Sequence, residues 1–317
     1  MQGGALIEWP GPVIELIEFV GAFMAAGAVG FRYTALRRLP EAGGAGSSRA
    51  MAARRAAVIG LVGALINLWH VSDVLPRVAG RNQQTVGELV SQYNAYSIWV
   101  VLSFVALLGF VLALARIDLG WLLAAIGVVG GGLRNLFVGN FERLVVPAHL
   151  LAGGLWIGTL LVLVVAGIAV VMRREPPERR GALVADMVNA FSPLALAMGG
   201  LVVLMGVIAM WRELEGDLTR LWTTPFGVAL LVKLAFVAAV FALGAWNWRR
   251  QRPALGSETA ALSIRRSARA ELVAALLVLM ATSVMLNLPH EEAPAPAAPA
   301  GPAPAAAPPG TPPAVPR

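Results

Sequence analysis

The stretch VVPAHLLAGGLWIGTLLVLVVAG, residues 145–167, decides the class of fold. It stays apolar over a length sufficient to cross the ~30 Å hydrocarbon core of a bilayer as a helix. Near its start it carries His149, and an imidazole in lipid costs several kcal/mol unless it is paired or hydrated. His149 and Trp156 are seven positions apart, so on a helix they share a face, about 10 Å apart along the axis. Gly153 lies between them at i+4, with Gly154 and Gly158 close by. Small residues let another helix or a planar ligand approach the backbone. The histidine is therefore expected to face protein or a ligand and not lipid.

The rest of the chain repeats this pattern. Of its 317 residues 58% are hydrophobic and 14% charged, with a mean hydropathy of +0.72. A soluble domain carries about 25% charged residues. The reading is all-α: a polytopic membrane bundle of about eight helices, at roughly 13–34, 56–75, 96–115, 118–137, 145–172, 187–211, 226–247 and 270–288. The start, MQGGALIEWPGP, lacks a basic region and a small-residue cleavage site, so the first apolar run is read as a retained helix. The chain divides into a four-helix region at 1–142, a second four-helix membrane domain at 143–289, and a Pro/Ala-rich tail at 290–317. That tail reads as extended and disordered.

Charge orients the bundle. Seventeen Lys/Arg fall in the loops after spans one, three, five and seven, against seven on the opposite side. Positive residues remain cytoplasmic, which places both termini outside, in the periplasm of a Gram-negative cell. The net charge of +7 is thus a topology signal, and no nucleic-acid partner is expected. With no cysteine in the chain, disulfides and thiolate metal sites are excluded.

Mapped onto this topology, the ionisable residues inside spans gather toward the outer face. Glu15 and Glu18 are one turn apart in span one, and His70 and Asp73 one turn apart in span two. His149 enters span five from outside, and His290 lies just beyond span eight. Met205, Met210, Met280 and Met285 occupy the same outer half. Thioether and imidazole are ligands that suit copper, thioether favouring Cu(I). Each residue also has a plainer reading: methionine as packing filler, the glutamates facing headgroups, His70 beside Trp69 as an interfacial anchor. Lys233, seven residues past Phe226, is too deep for easy snorkelling and needs a carboxylate, a carbonyl or a cofactor as partner. No P-loop, GxSxG or HExxH motif is present, and no enzymatic role is expected.

Five blocks in order, HLLAGGLWIGTLL (149–161), FSPLALAMGGLVVLMG (191–206), TTPFGVALLVKLAF (223–236), ALGAWNWRRQRPAL (242–255) and RRSARAELVAALLVLMATSVMLNLP (265–289), resemble the copper resistance protein D (CopD) family. Met205 stands where that family often has threonine, and Phe226 where tyrosine is common. The resemblance implies an inner (plasma) membrane protein of copper homeostasis that passes copper inward from the periplasm. The ligand set would be drawn from His70, His149, Met205, Met210, Met280, Met285 and His290, with Glu15, Glu18, Asp73 and Trp156 tuning it. A periplasmic copper-binding protein is the implied partner. His149, Trp156, Gly158 and the later LVKLAF also look like the HemJ-type membrane proteins, smaller four-helix bundles associated with b-type haem. On that reading His149 and Lys233 would hold haem b in a redox protein. A third reading is a non-catalytic scaffold for a periplasmic copper chaperone.

Overall fold

The computed structural model describes residues 9–41, 44–140, 142–251 and 258–288. The tail at 290–317, with His290, lies outside them. No strand occurs among the described residues. The helices run α1 Gly11–Tyr33, α2 Ser48–Arg81, α3 Val86–Gln92, α4 Asn94–Leu114, α5 Leu119–Gly132 and α6 Arg134–Phe137. The fifth pass follows as α7 Val145–Gly153, α8 Thr159–Val162 and α9 Ala169–Arg174, joined by π-helical turns at Gly154–Gly158 and Leu163–Ile168. Then come α10 Pro177–Glu213, the short α11 Arg220–Thr223, α12 Pro225–Gln251 and α13 Glu258–Leu286.

Local chemistry sets the starts. The Ser47 hydroxyl accepts from the Ala50 amide at the start of α2, satisfying one of the orphan donors of a helix N-terminus. Thr85 and Glu88 form a reciprocal capping box on α3. Hydrogen bonds from Thr85 hold the Glu88 carboxyl below the usual carboxylate range. α10 and α12 open on Pro177 and Pro225, a position where the missing amide proton costs nothing.

Among the described residues, seven helices are long and apolar enough to cross a membrane. The expected fourth span is shorter: α5 has 14 residues and stops at the glycine run before Leu133, and α6 completes the traverse. Along this path Gly120 packs on Ala113, Gly127 on Ala106 and Gly130 on Leu102, and Arg134 reaches the ring of Trp99 near the start of α4. α5 and α6 together therefore run the length of α4, and the chain returns to the side from which α4 began. Gly11, at the start of α1, adjoins the Asn287 side chain after α13, so the first and last helices meet at one end of the bundle.

The two halves are joined through α1. Lipid offers helices no hydrophobic gain for associating, so close backbone approach through small residues does that work. A Cβ on Gly27 would collide with the Gly158 backbone, and one on Gly158 with the Phe23 carbonyl. Phe23 and Ala26 cover Gly153 and Gly154. Phe31 and Met187 enclose Gly167 deeper in the core, which also holds Val162, Leu163 and Ile168. The glycines of the fifth pass thus accommodate a helix, which is one of the two guests their pattern allows.

This seam predicts an asymmetric response to bulk. Gly158→Leu should destabilise the purified protein by about 1–3 kcal/mol, the usual cost of overpacking. Gly200→Leu, at a site with open space beside it, should leave thermal unfolding in detergent unchanged.

Candidate functional site

His149 sits on α7, half-buried, and turns toward α10. Its Nδ1 lies 2.9 Å from the Val202 carbonyl oxygen. A carbonyl can only accept, so Nδ1 carries the proton and donates, and in the neutral ring Nε2 is left with a free lone pair. One turn along α10, Gly206 makes room: a Cβ there would stand 3.1 Å from the His149 Cε1. Metal-ligating imidazoles are commonly oriented in this way, by a carbonyl on one nitrogen with the other left open.

Trp156, in the first π-helical turn, faces the same helix two turns further in. Its ring lies 4.8 Å from that of Phe241 on α12, tilted by 44°, and against Gly199 of α10. Both rings of the fifth pass therefore face α10, as their spacing predicted. Lys233 on α12 is close enough to His149 for their charges to interact. Among the described residues it forms no salt bridge with a carboxylate. Of the partners expected for it, the carboxylate is not there.

The helix that holds this imidazole, α10, lies with α12 and α13 in the part of the chain that matches a known family. Residues 185–285 match the family described as Copper resistance protein D. That segment is CopD-like. Copper transport protein CutJ of Bacillus subtilis (strain 168) is 27% identical over 151 residues, which are 47% of this chain and 25% of that protein. The chain thus spans about a quarter of the length of this curated relative. No solved structure matches. The match and the apolar helices agree with a multi-pass protein of the inner membrane. The HemJ-type similarity is not among these findings, and the glycine face that would admit a porphyrin is covered by α1.

The CopD-like segment contains Val202, Met205, Gly206, Met210, Lys233, Met280 and Met285, while His149 and Trp156 lie on the pass that packs against it. Met205 and Met210 are half-buried on α10, flanking Gly206 in sequence. Met285 is buried on α13, and Met280 is exposed. No group of three or more His, Cys, Asp or Glu stands in a metal-holding arrangement among the described residues.

His70 belongs elsewhere. It pairs with Glu18 of α1 and sets its ring edge against Trp99, centroids 5.4 Å apart. The Arg134 guanidinium lies 4.6 Å from the centroid of the same indole. Asp73 pairs with Arg77 one turn on, and Glu15 is near enough to feel Glu18, His70 and Arg77. α1 stands between this cluster and α7, meeting α2 at Gly21–Ile66 on one side and Gly153 on the other. The outer set read from the sequence is divided into two.

Val202 and Gly206 escaped the sequence reading. A backbone carbonyl leaves no mark in side-chain identity. Gly206 did leave one, since it closes the block FSPLALAMGGLVVLMG.

The two ion pairs of the His70 cluster should respond differently to loss of charge. Glu18→Gln removes a partner that joins two helices at a largely buried carboxylate, and should cost about 1–3 kcal/mol in unfolding. Asp73→Asn breaks a more exposed i,i+4 pair and should cost less than about 1 kcal/mol.

Proposed function

We propose that this protein handles copper in the inner membrane, with His149 as the first residue to take the ion from the periplasmic side. The observation that carries the reading is the Nδ1–H to Val202 carbonyl bond. It fixes the ring and leaves Nε2 as a donor on the pass packed against the CopD-like segment. The family match and the copper transport protein from Bacillus subtilis support copper as cargo. The arginine distribution supports the periplasmic side as the one where His149 enters.

One imidazole with methionine thioethers makes a soft, low-charge donor set, suited to Cu(I). Among the thioethers of α10 and α13, Met205, Met210 and Met285 are the ones assigned to this set. The site passes an ion on only if it holds it weakly, because conduction requires release as much as capture. Lys233 fits that requirement, since an ammonium within electrostatic reach of the imidazole opposes a second cation. The His70 cluster, with its acids already engaged, is assigned to holding α1, α2 and α4 together. The role is that of a carrier and not a catalyst, and a periplasmic copper-binding protein is the natural donor.

A deletion strain complemented with His149→Ala should accumulate markedly less copper than one carrying the wild type, measured by elemental analysis of cells. Equal copper in the two would remove His149 from the path. Copper content and the absorption spectrum of the purified protein separate the alternatives. A Soret band lost in His149→Ala would assign haem. A metal-free, colourless protein whose His149 variant still complements would assign a scaffold.

Lys233→Leu should raise copper retained by the purified protein roughly tenfold, because removing one nearby positive charge relieves about 1–2 kcal/mol of repulsion. Weaker retention would make Lys233 a ligand and not a counter-charge.

A further inference from the structure

At the opposite end of the bundle a cavity of about 770 Å³ opens between α2, the inner part of the fifth pass and α13. Six arginines line it: Arg54 and Arg55 of α2, Arg116 of the α4–α5 turn, Arg173 of α9, and Arg265 and Arg269 of α13. Its lining contains no acidic residue. Among the described residues none of the six forms a salt bridge. The Nε of Arg265 is buried without a hydrogen-bond partner. Arg116 holds a φ of 66°, a left-handed conformation in which glycine would be at ease and arginine is strained.

The apolar remainder of the lining is ordered with respect to these charges. Val58 follows Arg54 and Ile59 follows Arg55 by one turn into the bundle; Ala169 and Val165 precede Arg173 by one and two turns; Leu272 follows Arg269. On all three elements the guanidinium stands at the rim and the apolar side chain lies membrane-ward of it. A free anion would use the rim alone. A molecule with an anionic head and an apolar body matches both parts.

We infer that this groove binds an anionic phospholipid of the cytoplasmic leaflet, its phosphate among the arginines and its acyl chain along Val58, Ile59 and Val165. Basic pockets between transmembrane helices on the cytoplasmic side recognise such headgroups, and guanidinium suits phosphate through paired donors. The arginines that orient the protein would thus also hold a lipid. This inference is independent of the copper reading.

The test compares the full chain in phosphatidylglycerol and in phosphatidylcholine vesicles at equal ionic strength. Wild type should unfold several degrees higher in the anionic vesicles. Arg265→Gln/Arg269→Gln should lose that difference, while Arg81→Gln, at the other end of the bundle, should keep it. Equal unfolding of wild type in the two lipids, or an undiminished difference in the double variant, would overturn the proposal. So would inorganic phosphate alone reproducing the gain in phosphatidylcholine. If the double variant does not fold, lipid extracted from purified wild type decides: anionic species should be several-fold enriched over the bulk membrane, and bulk proportions would refute the site.

Discussion

The contact of Gly27 with Gly158 is the constraint on which the rest of the bundle depends. Two backbones meet there without an intervening side chain, and a Cβ on either residue would strike main-chain atoms. In lipid such approaches supply the packing that burial supplies in water. The π-helical turns at Gly154–Gly158 and Leu163–Ile168 lie along this seam. Such turns change which side chains share a face and are often found at functional sites. With α1 seated on the glycines, the fifth pass presents His149 and Trp156 to α10 instead. The same helix carries Glu18 to His70. One helix therefore builds both polar clusters and keeps them apart.

Hydropathy made the passes legible because each is a local property of about twenty residues. It read α5 less well, because the glycine run at 130–132 ends a regular helix that the apolar pattern continues through. The shared face of His149 and Trp156 was legible from spacing, and their contacts with Val202, Gly206 and Gly199 bear it out. What local pattern does not contain is the choice of partner. Glycines at 153, 154 and 158 announce a close approach without naming the guest. A histidine at the outer end of α2 and another at the outer end of α7 look equivalent until α1 is placed between them. The Val202 carbonyl belongs to the backbone and has no sequence signature.

The bond to Val202 also limits what His149 can be. A helical carbonyl already serves the amide one turn on, which here belongs to Gly206, and its second lone pair is free to accept from the imidazole. With a Cβ at 206, 3.1 Å from the His149 Cε1, the ring would have to give way by a few tenths of an ångström. The histidine is then held by the main chain of a helix in the CopD-like segment, and its orientation does not rely on another side chain. Rigid placement of one donor combined with adaptable thioethers is a sensible division for a transient ion. In the proposed role the imidazole would fix where the ion enters, and the flexible methionines would adjust to it.

The two ends of the bundle differ in how their charges are settled, and this bears on passage. At the outer end carboxylates are engaged by His70 and Arg77. At the inner end six guanidiniums line one groove, and among the described residues none of them forms a salt bridge. A cation leaving toward that side would meet a repulsive rim, because charges in a low-dielectric groove act over longer distances than in water. An anionic headgroup seated there would neutralise the rim and lower the exit barrier. Under the two proposals together, the lipid would complete electrostatics that the described side chains leave open at this end of the bundle.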